Sequence, residues 1–301
     1  MPLKIGILTT QDVEENRLLV EAAEKRGHQA TLLYHTKCSL SICQNSPEIY
    51  YEGQPIGKEF DIIIPRVDKP HPEYALTVLR QFEAMHIFTS ETARAISIAR
   101  DKLLCAQRLL KENIPFPSTG FAYSKEDFHN IIKTVGGVPL IIKLVEGTEG
   151  VGVFLADDMK HAVNLLKTFK QLSTPLIAQK FIEESSGKDI RAFVCGGRVM
   201  AAIQRESEDN DFRANVSQGG IATVIKLTEE EEEICIKAAR ALKINVAGVD
   251  LIRSNQGPLI IEINASLNFA RKYMEDAGID AADIIVGFAV DKYKEGLKNA
   301  A

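Results

Sequence analysis

Two periods of apolar spacing alternate along the chain. "LKIGILT" is a short unbroken apolar run of the kind a buried strand makes. "EENRLLVEAAEKRGH" then repeats its apolar residues at helical spacing until Gly27 closes it. "FDIIIPRV" and "YALTVLRQFEAMH" repeat the strand and helix, so an open α/β sheet is predicted over residues 1–95. "RAISIARDKLLCAQRLLKEN" reads as one long amphipathic helix, stopped by the prolines of "IPFPSTG". Beyond it come the helix "KEDFHNIIKTVG", the strand "PLIIKLV", a glycine loop, the strand "GVFLA", the helix "MKHAVNLLKTFKQL" and the strand "PLIAQKFI". The last third reads as paired strands around Gly196 and Gly197, a helix, "EEEICIKAARAL", and the hairpin "GVDLIRSNQGPLIIEINAS". No internal repeat, low-complexity tract or long linker interrupts this order.

Composition narrows the class. The 301 residues, 45% hydrophobic and 26% charged, suit a globular protein of two or three modest domains. No apolar run approaches the roughly 20 residues of a membrane span, and "MPLKIGILTT" lacks the features of a secretion signal. A net charge of −5 gives no general pull toward nucleic acid or acidic lipid. Neither nucleic acid nor membrane is therefore an expected partner. Cys38, Cys43, Cys105, Cys195 and Cys235 form no CxxC pair, which argues against zinc and disulfides and for a reducing cytoplasm. The six histidines have no metal-ligand spacing and read as surface or cap residues. The acidic start of "LTEEEEEICIKAARAL" reads as a solvated helix terminus favoured by the helix dipole.

Three polar residues stand out in the final hairpin. Glu262 and Asn264 share one strand face while Ile261 and Ile263 take the other. With the turn centred on Gln256, Asp250 falls opposite Glu262, their Cβ atoms roughly 5 Å apart. Two like charges so placed repel, unless a divalent cation lies between them or the face is simply wet. Oxygen-only ligands suit magnesium or manganese rather than zinc. On the metal reading, neutralising one carboxylate leaves the metal-free fold intact or more stable.

A second signal lies upstream. "PLIIKLVEGTEGVGV" runs a strand into Gly147, Gly150 and Gly152, whose small size lets backbone amides converge on an anion. It is neither a Walker A loop nor a dinucleotide fingerprint, and a glycine-rich hairpin tip is the plainer reading. Lys143 shifts that balance, because a cation inside "LIIKL" needs a partner and a phosphate is a good one. Lys102, near a helix start, is a weaker candidate. In "DFRANVSQGG", Arg213 and Asn215 could serve a phosphate and a metal.

Together these stretches resemble the ATP-grasp ligases, and within them the RimK-type glutamate ligases. The resemblance covers nearly the whole chain and is densest in "ARDKL", "GGVPLIIKLVEGTEGVGV", "DIRAFV", "DFRANVSQGG", "VAGVDLIRSNQGPLIIEINAS" and "AGIDAA". It implies an α/β (α+β) three-domain ATP-grasp fold. The expected parts are an N-terminal α/β domain over 1–95, a small central subdomain with the glycine-rich lid over 96–183, and a C-terminal subdomain with the metal site over 184–301.

The resemblance also implies roles. Lys102 and Lys143 would contact ATP phosphates, and Gly147, Gly150 and Gly152 would close over them as a lid. Gln179, Lys180 and Phe181 would form the hinge, with the Lys180 and Phe181 backbone reading adenine. Asp189 would bind the ribose, and Arg213 and Asn215 the phosphates, with Lys143 and Arg213 catalytic. Asp250, Glu262 and Asn264 would hold two magnesium ions, Glu262 bridging, with manganese a possible substitute. The implied reaction joins a carboxylate to an amine through an acylphosphate, adding glutamate to a peptide or protein C-terminus. A small-metabolite acceptor and a non-catalytic nucleotide-binding subunit are the alternatives. A homo-oligomer is also expected. "NASLNFARKYMED" is slightly longer than the family pattern and lacks its Pro-Gly, which bears on the substrate more than on the chemistry.

Overall fold

The structure is a computed structural model and describes residues 1–147, 152–208, 211–214, 220–267 and 271–300. It opens with β1 (Lys4–Thr9), α1 (Glu14–Lys25) and β2 (Gln29–Tyr34), then three short strands, β3 (Cys38–Ser41), β4 (Glu48–Tyr51) and β5 (Gln54–Pro55). β6 (Ile62–Arg66), α2 (Pro72–Ala84) and β7 (Phe88–Thr89) follow. A parallel sheet runs in the order β2-β1-β6-β7, as the unbroken apolar runs predicted. The small antiparallel sheet β3-β4-β5 was not legible, because its strands are only two to four residues long and half polar.

The expected long helix is two helices, α3 (Ala93–Arg100) and α4 (Lys102–Lys111). Asp101 between them is extended, at φ −95° and ψ 106°, and its carboxylate accepts from the Leu103 and Leu104 amides at 2.9 Å. The apolar spacing runs on through this break, so periodicity alone could not reveal the cap. The cap also sets where Lys102 points.

The middle of the chain holds β8 (Thr119–Gly120), α5 (Phe128–Thr134), β9 (Leu140–Leu144), β10 (Val153–Ala156), α6 (Met159–Gln171) and β11 (Leu176–Lys180). Its antiparallel sheet, in the order β10-β9-β11-β8, encloses a separate apolar core around Phe128, Ile132, Leu140 and Ala162. The last part has β12 (Lys188–Cys195), β13 (Arg198–Glu206), β14 (Ile221–Ile225), α7 (Glu229–Leu242), β15 (Val246–Ser254), β16 (Gly257–Asn264), α8 (Arg271–Asp276) and α9 (Ala281–Ala300). Its five strands pair antiparallel in the order β14-β13-β12-β15-β16. Gly196 and Gly197 turn β12 into β13 with φ of 58° and 77°, the left-handed pair that a tight hairpin needs. Thr228 and Glu231 open α7 with a reciprocal capping box, and Glu231 is 3% exposed, so this one glutamate of the acidic start is buried where a solvated helix terminus was expected.

The first and last sheets share their cores. Ile5, Ile7 and Leu19 pack in one cluster with Phe193, Val246 and Val286, while Leu8, Ile63 and Phe82 join Ala192, Val249 and Leu251 in another. His35 is buried to 0% exposure, not a surface or cap residue as its spacing suggested. Its Nδ1 meets the Thr9 carbonyl at 3.0 Å.

Glu91 fastens these two sheets together. Its Oε1 accepts from the Asn245 and Val246 amides at 2.8 and 2.6 Å, where β15 begins. Burial pushes the carboxyl up to about 8, against the pull of those amides. Folding therefore favours the protonated acid. Its stabilising effect is full below the ordinary carboxylate range and is lost as pH rises through about 8. Glu91→Gln should flatten the fall in melting temperature between about pH 5 and about pH 9. A wild-type curve as flat as the variant's would contradict this.

Candidate active site

One face of the last sheet is polar where the other is core. Side chains on a strand alternate, so Asp189 and Arg191 of β12 emerge together. Register then places Arg205 of β13 opposite Asp189, Asp250 of β15 opposite Arg191, and Glu262 of β16 opposite Asp250. Arg205 grips both oxygens of Asp189 at 2.6 Å, and Arg191 grips both of Asp250 at 2.7 Å. Arg205 also reaches Asp250 at 3.1 Å, and Lys102 lies 3.3 Å from Glu262. Cation and carboxylate therefore alternate across the floor.

These pairs answer the repulsion expected between Asp250 and Glu262. Asp250 is 3% exposed, and burial alone would push its carboxyl up. The Arg191 and Arg205 guanidiniums outweigh that and hold it below the usual carboxylate value. Asp189 behaves oppositely: burial raises its carboxyl despite Arg205. Neutralising Asp250 would take the charged partner from the half-buried Arg191 and leave Arg205 with Asp189 alone, so the sequence-based expectation of an intact or more stable fold is corrected for this residue.

The hairpin register is the expected one, Asp250 facing Glu262, but by a different route. Ser254 pairs with Gly257 across a two-residue turn of Asn255 and Gln256, and the register shifts by one between Asp250 and Leu251. The bulge restores the pairing that a turn centred on Gln256 would have given. It also brings Ile261 to the cavity wall beside Glu262 and Asn264, where plain alternation put it on the other face. Ile263 stays in the core.

This floor lies under a cavity of about 780 Å³, within the range of small-molecule sites. β9 forms part of its roof. Lys143, 8% exposed, reaches it from the middle of that strand, and burial pulls its ammonium down to about 8, partly countered by Glu262. Lys102 donates to the Gly147 carbonyl at 2.8 Å, joining the head of α4 to the start of the glycine loop. Gln179, Lys180, Phe181, Asp189 and Arg213 also line the cavity. The Lys180 amide donates to the Ser118 carbonyl at 2.8 Å, so it is already engaged. Arg213 is held by Asp211 at 2.7 Å. Gly152 adopts φ 76° with its α-carbon against Leu144. Gly150 and Asn215 lie outside the described residues.

The geometry brings Lys102, Lys143, Asp250, Glu262 and Asn264 to one end of this cavity, as expected from sequence. It also adds Arg66, Arg100, Arg191, Arg205 and Ser266, which sequence reasoning missed. The signal that marked Lys143, a cation inside an apolar run, was present in "IIIPRV" and "DIRAFV" as well. Among the described residues, ten basic side chains and five carboxylates line the cavity, in a chain of net charge −5. Such a lining suits a polyanionic ligand.

A hard cation fits the donor set. Among the described residues no group of three His, Cys, Asp or Glu converges, so the case for a cation rests on the oxygens of Asp250, Glu262 and Asn264. Glu262 and Asn264 offer oxygens at the cavity, and the Asn264 Nδ2, directed at Asp250 Oδ2 at 3.4 Å, leaves its carbonyl oxygen for a ligand. Among the described residues Asp250 Oδ1 takes the Arg191 Nε bond, and a carboxylate oxygen has a second lone pair.

Comparison with known proteins shows the family. Residues 99–288 match the RimK-like ATP-grasp domain, and residues 3–96 match the RimK PreATP-grasp domain. The chain belongs to the RimK-like ATP-grasp family. It is 43% identical over 295 residues to a probable alpha-L-glutamate ligase 1 of Hahella chejuensis, covering 97% of this chain and 96% of that one. Among solved structures, a RimK domain ATP-grasp protein from Sphaerobacter thermophilus matches with a TM-score of 0.72 at 18% identity, over 95% of this chain and 99% of that chain. The ATP-grasp ligase PsnB, complexed with its minimal precursor, Mg and ADP, matches with a TM-score of 0.70 at 18% identity, over 96% and 98%. Both likenesses carry the ATP-grasp fold.

Two variants separate the roles of the paired carboxylates. Asp250→Asn should cost the ligand-free protein about 3 kcal/mol, because it breaks a buried ion pair. Glu262→Gln, at a half-buried carboxylate with one lysine near it, should stay within about 1 kcal/mol of wild type. Equal denaturation midpoints for the two would contradict the paired floor. Lys143→Met keeps the stem's packing and removes a buried charge. It should leave the ligand-free melting temperature equal or higher while weakening ATP binding by about tenfold or more. Unchanged ATP affinity would show an ordinary lysine.

Proposed function

We propose that this chain is a cytoplasmic ATP-dependent carboxylate–amine ligase that adds L-glutamate to the C-terminal carboxylate of a peptide or protein. The observation that carries it is the meeting of Lys102 and Lys143 with Glu262 and Asn264 at one end of an anion-favouring cavity. Relatives named as probable alpha-L-glutamate ligases support the amino acid, and neighbours solved with precursor peptides support the acceptor class.

The roles follow from position. Glu262 and Asn264, with Asp250 Oδ1, would hold two magnesium ions, Glu262 bridging and manganese able to replace them. Bound there, the metal neutralises charge on the transferring phosphoryl group. Lys143 from the roof and Lys102 from the head of α4 oppose the same charge, in a site whose burial strengthens each interaction. Arg213 and Asn215 would add to this from the loop that follows. With the Lys180 amide engaged by Ser118, the Lys180 carbonyl and the Phe181 backbone would read adenine, beside Gln179. Asp189 would take the ribose only while sharing its oxygens with Arg205. The division at 1–95, 96–183 and 184–301 is part of this proposal, with Gly147, Gly150 and Gly152 as a lid.

The chemistry then runs in two steps. An oxygen of the acceptor carboxylate attacks the γ-phosphorus, the bond to ADP breaks, and an acylphosphate forms. The glutamate amine attacks the acyl carbon, a C–N bond forms, and phosphate leaves with the amine's proton. A lid has a purpose here, since an acylphosphate hydrolyses in water.

ATP should be converted to ADP and phosphate in step with amide. Hydroxylamine should trap a hydroxamate when glutamate is left out, and Glu262→Gln should abolish both. Pyrophosphate appearing in step with amide would sink the mechanism.

A further inference from the structure

The N-terminal sheet meets the same cavity at a place the family roles leave unassigned. After β1 the chain moves to β2 on one side, and β6 lies on the other. The strand order therefore reverses between β1 and β6, and in an open parallel sheet the crevice outside the strand ends at such a point binds ligands. The segments that bound this crevice both reach the cavity: Gln11 and Val13 after β1 with Glu15 in the first turn of α1, and Arg66 at the end of β6 with Asp68 and Lys69 after it.

Arg66 is the cation at its centre. It pairs in register with Thr9 at the ends of the two switch-point strands and is 6% exposed. Its Nε donates to Asn16 Oδ1 at 3.2 Å. Asn16 is itself fixed, donating to Thr9 Oγ1 at 2.7 Å and to the Gln11 carbonyl at 3.0 Å. Burial pulls the guanidinium below its ordinary pKa, although Asp68 and Glu15 lie near enough to pull it back up. The crevice also adjoins the proposed reaction end. The Val67 carbonyl accepts from Ser266 Oγ at 2.9 Å, two residues past Asn264, and from Arg100 at 3.3 Å.

We propose that this crevice binds a substrate carboxylate that takes no part in the chemistry, and that the Arg66 guanidinium, oriented by Asn16, receives it. The proposal rests on the ligase reading and adds the side chain that holds a non-reacting carboxylate. A guanidinium fork matches a carboxylate in two parallel bonds, which gives the site geometric selectivity beyond its charge. Two sources carry this chemistry, the incoming glutamate and the acidic C-terminal residue of the acceptor.

Steady-state kinetics of the full chain with Mg-ATP, glutamate and a glutamate-terminated peptide distinguish them. Arg66→Gln should raise the KM of one of these two by about tenfold or more, leaving the KM for ATP within about twofold. The KM that moves identifies the source. Arg66→Lys should recover only part of the loss, since it keeps the charge without the fork. Unchanged values for both carboxylate substrates, or an equal rise for ATP, would overturn the site. Calorimetry with Mg and AMPPNP present, titrating glutamate and the peptide separately, reads binding without turnover. If wild type releases no ADP with either substrate, the ligase reading fails by itself. Tighter binding by wild type than by Arg66→Gln still supports the crevice, and equal or absent binding in both overturns it.

Discussion

The alternation of cation and carboxylate across one sheet face is the constraint on which the site depends. A buried charge is tolerated only when paired, and each strand of this sheet supplies what its neighbour needs. Arg205 answers Asp189, Arg191 answers Asp250, and Lys102 answers Glu262. The order β13-β12-β15-β16 is therefore an electrostatic requirement as well as a packing one. Removing one member of the row strands another, whereas the apolar face beneath, with Ala192, Val249 and Ile263, packs into the core in the ordinary way.

The same row explains how the three sheets cooperate. The floor is rigid because the last sheet shares its core with the first and is fastened to it by Glu91. The roof comes from the middle sheet, which has its own core and so can differ in position at small cost to the rest. Lys102 stands at the joint. The cap that Asp101 makes starts α4 afresh, and Lys102 then touches both the floor, through Glu262, and the entry to the glycine loop, through Gly147. One side chain thus couples the proposed metal ligands to the proposed lid.

Much of this was legible in the sequence, and the failures share a cause. Lys143 was readable because a lone cation in an apolar run is a local signal. The Asp250–Glu262 pairing was readable because a hairpin is nearly local, although two compensating details, the two-residue turn and the bulge at Ile261, were hidden. The partners of Asp250 were not readable. Arg191 lies 59 residues away in sequence, and Arg205 on β13 meets Asp250 on β15 by reaching across β12. No single-sequence pattern reports that order. The break at Asp101 was masked by an apolar period that continues through it. His35 gave no sign of burial, since nothing around it in "LYHTK" alternates strongly.

The central claim is that this charged floor holds a hard cation against a nucleotide. The most direct measurement is an anomalous difference map from a crystal grown with manganese and AMPPNP. The expected result is a manganese peak about 2 Å from oxygens of Glu262 and Asn264, with the phosphates between it and Lys143. A nucleotide bound in the cavity with manganese on neither residue, and Glu262 still turned to Lys102, would contradict the account.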